Sequence, residues 1–382
     1  MPRLPQGRPG QRLQIKGRPI PFSYWPSRPA RNHYALQSLL FALDPWAIIT
    51  QATERECPKD RLPEALACLE QARDFYVAGT ERGIEAARPL ALYYSYMNLT
   101  KAFCLTRGTP VTFDQAEHGL SERLGPGGKE LTDAFLQAFP SPSPRTHKLQ
   151  NFDELTAVLT SARLGTEARY ELPFLIPQIL SGHRLWARAA NKRERFIALH
   201  DIQFWHDPAS QELWLRLYLI ADDLSRLSIS HQRLLTEAQL VDTFREVSSE
   251  ERIDGRNLIC LEQVATQPYP NGYPADHLHY LVETIRPRLW MTVSTIPAYR
   301  RYYVYLCPQA EISSLLPQLL SIYAMTYYLG SVTRYRPHHF DAMIRGPYGP
   351  RIQDFVTGQP LQFIYLMTSE IAKQDVTRPS IL

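Results

Sequence analysis

Tyr94, Asn98 and Lys101 stand at helical spacing and share one face, where a phenol, an amide and an ammonium offer hydrogen bonds and charge to a phosphate or a partner loop. The competing reading of that face is a buried hydrogen-bond network that fixes how its helix packs. Arg184, Arg188, Lys192 and Arg193 are interleaved with Trp186, and Arg300 and Arg301 adjoin Tyr302-Tyr303. Cations beside planar rings can grip a phosphate backbone and stack unpaired bases, so RNA or DNA is a possible partner. Solvated charge at strand ends is the plainer alternative. Arg334 and His339 form an Arg-x4-His spacing near a helix end, a spacing that recurs at Arg28/His33, Arg195/His200 and Arg226/His231. Arg334, Arg336, His338 and His339 would equally complement the negative end of a helix dipole. His118, in His118-Gly119-Leu120, reads most simply as a capping residue at a turn, with a catalytic role as the lesser alternative. Asp276-His277-x-His279 with Glu283 has metal-ligand residue types but no third donor in phase, so no metal and no cofactor is expected.

Several chemistries are excluded by what is missing. There is no Gly-x-x-x-x-Gly-Lys-Ser/Thr, no Gly-x-Gly-x-x-Gly and no Gly-x-Ser-x-Gly, so neither ATP hydrolysis nor a serine-nucleophile elbow is expected. Gly125-Pro126-Gly127-Gly128-Lys129 lacks the hydroxyl residue and the preceding strand of a phosphate loop. The five cysteines are scattered, which suits reduced, mostly buried thiols in a cytoplasmic protein. No apolar run approaches the roughly 18–20 residues that cross a bilayer. The formal charge of +4 hides an asymmetry, because residues 1–31 hold seven basic residues and no acid, leaving the remainder net acidic.

The elements that must position these residues follow from the patterning. Pro, Gly and Arg dominate residues 1–31, which read as an extended, solvated basic arm. Residues 32–169 carry helical periodicity, strongest over Pro89–Leu105, where Arg88-Pro89 starts a helix and Arg107-Gly108 stops it. Asn151-Phe152-Asp153-Glu154 opens another helix of about ten residues. Residues 170–308 read as a β-rich insertion. Arg195–Trp205 and Glu212–Ile220 form a hairpin across His206–Ser210, and Asn257–Ala265, Arg288–Ser294 and Tyr299–Leu306 read as further strands. Glu237–Val247 and Ala275–Thr284 read as short helices or loops. Residues 309–382 return to helical period and are expected to pack on the N-terminal helices, giving an α+β fold.

Two resemblances sharpen this. The run Arg88 to Ala102 with its Tyr93-Tyr94-Ser95 and Asn98-Leu99-Thr100-Lys101-Ala102, then His118-Gly119-Leu120, then Leu319–Leu329 followed by Arg334-Tyr335-Arg336-Pro337, resembles the YaaC-like family. That resemblance implies a prokaryotic protein without an assigned reaction, whose relatives can occur near phage-defence genes. The Arg334/His339 spacing is similar to the signature of HEPN ribonucleases, which implies a dimer, His339 as acid or base on a ribose 2′-hydroxyl, and Arg334 stabilising charge on the scissile phosphate without a metal. The expected function is therefore a component of a prokaryotic defence or stress system acting on or through nucleic acid, with metal-independent RNA cleavage at Arg334 and His339. Arg88, Asn98, Lys101, Arg184, Arg188, Lys192, Arg193, Arg300, Arg301 and Arg336 are the candidate binding residues. The alternative is a non-catalytic scaffold that assembles with a protein partner or a second copy.

Overall fold

Arg88-Pro89 places proline in the first helical turn, where its missing N–H costs nothing, and Gly108 takes φ +81° just past the last turn. Between them the chain forms the helix Arg88–Thr106, the center of a helical unit. The computed structural model describes residues 4–26, 40–81, 83–108, 112–144, 146–270, 272–297 and 301–378. They belong to two units, one made of Ala42–Lys192 and Glu311–Ala372, the other of Arg193–Ala310 with the described parts of Met1–Phe41 and Lys373–Leu382.

In the helical unit the Arg88 helix packs against the helices Leu62–Thr80 and Gln318–Tyr335. Gly330 permits the second contact: a β-carbon there would lie 3.0 Å from Tyr93 Cβ and 3.2 Å from the Pro89 carbonyl. The long helix Gly349–Ala372 joins them, with Phe363 stacked on Tyr96 at 3.7 Å between ring centroids. Helices from both ends of the sequence thus share one core. Asn151–Thr160 is helical over the ten residues its opening suggests. A three-stranded antiparallel sheet, Leu120–Leu124, Ala134–Ala138 and Ala168–Glu171, interrupts the helical pattern. Its first two strands, Leu-Ser-Glu-Arg-Leu and Ala-Phe-Leu-Gln-Ala, hold no β-branched residue, so nothing in their composition separates them from helix.

The other unit is built on an antiparallel sheet in the order Phe244–Val247, Arg256–Gln263, Glu212–Ile220, Phe196–Asp207, Arg301–Tyr305, Val293–Ile296. Asp207 closes the central hairpin by accepting from the Ala209 N–H at 2.9 Å. Two segments differ from the sequence pattern. Most of Arg288–Ser294 lies in the helix Leu278–Thr292, which tolerates Pro287 in its interior, and only Val293 onward is strand. Phe244–Val247 is an edge strand, whereas Glu237–Val247 reads as a short helix or a loop.

The described part of the arm is pinned to the sheet at intervals, although many of its residues stay exposed. Gln11–Arg12 pairs with the strand Phe196–Asp207, and Leu13, Ile20, Phe22 and Tyr24 are buried. Two of its cations have partners on the sheet: Arg12 bridges to Asp201 at 2.9 Å, and Arg8 donates to the Gln263 carbonyl at 2.5 Å and to the Val264 carbonyl. Apolar residues spaced among the Pro and Arg decide this outcome, because burying them outweighs the preference of those residues for solvated backbone. Cys57, Cys104, Cys260 and Cys307 are buried free thiols.

Candidate functional site

The chain turns sharply at His118-Gly119 on its way into the strand Leu120–Leu124. Gly119 takes φ +77°, and a β-carbon there would sit 2.9 Å from the Phe152 backbone nitrogen, so only glycine fits. This turn places the half-buried His118 ring against the Arg88 helix. Its Nδ1 lies 2.6 Å from the Tyr93 hydroxyl, and the two rings meet edge to face at 5.4 Å. Tyr93 is itself packed against Tyr323 and Tyr327 of the Gln318 helix. The next residue, Tyr94, receives a hydrogen bond from Arg334 Nη1 at 3.0 Å. Arg334 is exposed in the last turn of the Gln318 helix, and its guanidinium lies 5.0 Å from the Tyr335 ring centroid.

Electrostatics set the state of His118. Burial pushes its pKa below the ordinary imidazole value, the neighbouring Arg334 and Lys101 charges push it further down, and Glu117 and Glu122 oppose them. The ring is therefore neutral at neutral pH. With Nδ1 bonded to Tyr93, the second ring nitrogen is Nε2; when the phenol accepts the Nδ1 proton, Nε2 carries the lone pair of a base. Removing Arg334 removes a positive neighbour, so Arg334→Ala is expected to raise the His118 pKa toward about 6.5, read as the midpoint of its ring-proton NMR titration. An unchanged midpoint would contradict the proximity of the two groups.

A second set of groups braces the first. Glu130, in the loop between the strands Leu120–Leu124 and Ala134–Ala138, accepts from His339 Nδ1 at 2.8 Å, from Arg336 Nε at 3.1 Å and from the Tyr328 hydroxyl. Glu122 is 3.6 Å from Arg336 Nη1 and accepts from the Tyr327 hydroxyl at 3.4 Å. Burial above all holds the Tyr327 and Tyr328 phenols protonated. Gly125 makes this loop possible: a β-carbon there would lie 2.8 Å from the Asp133 carbonyl oxygen. It is a hairpin loop that delivers a carboxylate to the helix ends.

Arg334 and His339 thus have different partners, Tyr94 for the first and Glu130 for the second. The charge of Arg334 reaches His118. Lys101 is half-buried on the Arg88 helix and contributes charge to the same group. Asn98 is buried and donates to Gln71 Oε1 of the helix Leu62–Thr80 at 3.4 Å, which is a packing contact. Arg88 reaches back to the Glu81 carbonyl at 3.4 Å, and Arg336 is enclosed by its two carboxylates. Arg184 and Arg188 are exposed on the short helix His183–Ala189, but Trp186 between them is buried against His183, so it offers no face for stacking. Lys192 and Arg193 are exposed and fall in different units.

Arg300 lies outside the described residues, and the exposed Arg301 lines a groove of about 540 Å³ on the sheet with Arg12, His200, Asp201 and Tyr303. His277 and His279 pack beside Tyr280, and among the described residues no three His, Cys, Asp or Glu side chains gather as metal ligands.

The separate motifs Tyr93-Tyr94, Lys101, His118-Gly119 and Arg334 to Pro337 therefore meet in one place. Residues 27–371 match the model of the YaaC-like protein family. The chain belongs to that family. No curated protein and no solved structure matches it. Within this YaaC-like chain, the carboxylates Glu122 and Glu130 are the site residues that sequence reasoning missed. The sequence signal for Glu130 is its place in the Gly-rich loop that starts at Gly125; contrary to the sequence reading, a strand, Leu120–Leu124, does precede that loop, while the hydroxyl residue of a phosphate loop is absent.

Proposed function

We propose that this YaaC-like protein acts on RNA at the surface formed by His118, Arg334, Lys101 and Tyr94. The observation that carries the reading is that adjacent residues of one helix hold both groups, Tyr93 bonding His118 Nδ1 at 2.6 Å and Tyr94 accepting from the exposed Arg334 at 3.0 Å. Arg334 meets the phosphate and neutralises charge on its non-bridging oxygens as it develops. His118 Nε2 takes the proton of the ribose 2′-hydroxyl, O2′ attacks phosphorus, the P–O5′ bond breaks, the leaving oxygen takes a proton from water, and the imidazolium returns its proton to the hydroxide so formed. The products are a 2′,3′-cyclic phosphate and a 5′-hydroxyl.

This keeps the chemistry expected from the Arg-x4-His spacing but moves the proton-transfer role to His118. His339 then serves to hold Glu130 and Arg336, which fix the end of the Gln318 helix that carries Arg334. A role in a prokaryotic defence or stress system is compatible with such an activity and forms part of the same proposal. RNA affinity should fall steeply with salt, and Arg334→Ala should lower both the affinity and the salt slope by roughly one phosphate contact. Salt-insensitive or absent RNA affinity would overturn the reading in favor of a non-catalytic scaffold.

A further inference from the structure

The surface around Arg334 carries more planar area than a phosphate contact needs. Phe75, on the helix Leu62–Thr80, is 36% exposed and stacks on Tyr94 with ring centroids 5.4 Å apart and an interplanar angle of 29°. Tyr94 Oη accepts from Arg334 at 3.0 Å, and Arg334 lies 5.0 Å from the ring of Tyr335, which is 64% exposed. Phe75, Tyr94, Arg334 and Tyr335 thus form a continuous row of flat groups. All four stand on helices, and Tyr335 is held where the Gln318 helix ends and the helix Pro337–Arg345 begins.

A large aromatic side chain left in water at a helix end forgoes burial that its size would reward. A guanidinium next to it makes a platform of the kind that receives nucleobases, since every base has a π-face and Arg adds a cation–π term. Duplex bases are paired and stacked on each other and cannot be laid on a protein ring, whereas unpaired bases can be splayed onto one.

Building on the RNA reading above, we infer that Tyr335, with Arg334 beside it and the Phe75–Tyr94 stack continuing the row, seats an unpaired nucleobase, so that the substrate class is single-stranded RNA. Arg334 then has two neighbours in the complex, the phosphate on one side and the base on the other. The platform places one nucleotide beside His118 and makes strandedness, rather than base identity, the property the site selects.

The test uses the full chain and a short single-stranded oligouridine, its duplex with oligoadenine, and an oligouridine with abasic positions, each followed by fluorescence anisotropy at one salt concentration. Tyr335→Ala is expected to weaken the single strand about five- to a hundredfold, to leave duplex affinity unchanged, and to have no effect on the abasic strand. Tyr335→Trp should retain single-strand affinity. Because Tyr335 is mostly exposed, its truncation leaves the core intact, and circular dichroism of each variant checks that. If Tyr335→Ala changes nothing while Arg334→Ala still weakens binding, the stacking inference falls, the phosphate reading stands, and the row is better read as a protein contact. Equal loss on all three ligands likewise overturns stacking. If the wild type binds none of them, both this inference and the reading beneath it fail.

Discussion

His118→Ala is expected to slow RNA cleavage about 10²- to 10⁴-fold, the usual contribution of a positioned general base, while leaving RNA affinity nearly unchanged. The split between rate and affinity is the informative part, because a neutral imidazole adds little to phosphate binding. Arg334→Ala should lose both, with a rate loss of about 10²–10³-fold from the missing charge stabilisation. It should also move the acid limb of the pH–rate profile upward. Burial and the Arg334 and Lys101 charges hold the His118 pKa below the ordinary imidazole value, so on the proposed mechanism the base is neutral at neutral pH and the rate should fall only on further acidification. His339→Ala should act through position: it removes one donor to Glu130, leaves Arg334 and His118 in place, and should change the rate far less than His118→Ala. Steady-state rates, binding by anisotropy and the pH profile of each variant check these expectations together. A His339→Ala loss as large as that of His118→Ala would return the proton-transfer role to the Arg-x4-His pair.

Glu262→Ala is expected to destabilise the sheet unit by about 3–5 kcal/mol, the range for leaving a buried charge without its partner. Glu262 is fully buried and stands directly across the ladder from Arg216 on one side and Arg245 on the other. Arg216 Nη2 reaches its carboxylate at 2.7 Å, Arg245 Nη2 at 2.9 Å, and the Arg8 backbone N–H at 2.9 Å. Arg216 is nearly buried beneath Trp205, its guanidinium 3.7 Å from the ring centroid, so it cannot turn to solvent when Glu262 is gone. Arg245 is nearly half-exposed and contributes less.

The pH dependence follows from the same contacts. Burial works against ionisation of Glu262, and the hydrogen bonds from Arg245, Arg216 and Arg8 outweigh it, so its pKa lies below the ordinary carboxylate value. A carboxyl whose folded pKa is depressed adds stability above its unfolded value of about 4.3, and that stability is lost as the pH falls through the folded pKa. Urea denaturation should therefore show a wild-type advantage over Glu262→Ala that is full at neutral pH and shrinks in acid. A difference within about 0.5 kcal/mol at neutral pH, the range for inconsequential surface changes, would contradict the role given to Glu262.

The legible parts of this fold are those where local signals agree with the tertiary outcome. Pro89 and Gly108 bracket a helix whose interior repeats at helical period, and Asp207-Pro208 separates two strands rich in Trp, Ile and Leu. The illegible parts are those where long-range contacts decide. Residues 4–26 look solvated by composition, yet four apolar side chains and two paired arginines bind them to a sheet formed some two hundred residues later. Leu120–Leu124 becomes strand because Ala134–Ala138 is there to pair with it.

The site divides the same way. Lys101 and Arg334 stand out as cations at helical positions, whereas His118 looks like a capping residue until the structure sets Tyr93, Lys101 and Arg334 around it. Trp186 looks like a stacking ring among arginines, and its burial reflects the apolar face of a short helix that spacing alone does not expose.

The central claim is that His118 and Arg334 act together on a phosphodiester through the ribose 2′-hydroxyl. It is tested most directly by presenting the purified chain with two single-stranded oligonucleotides, one all-ribose and one with a deoxyribose at every nucleotide, and identifying the termini of any products from wild type and His118→Ala. The account predicts that wild type cuts only the ribose strand, leaving 2′,3′-cyclic phosphate and 5′-hydroxyl ends, and that His118→Ala leaves it essentially uncut. Cleavage of both strands alike, or ribose cleavage by His118→Ala at the wild-type rate, would contradict it.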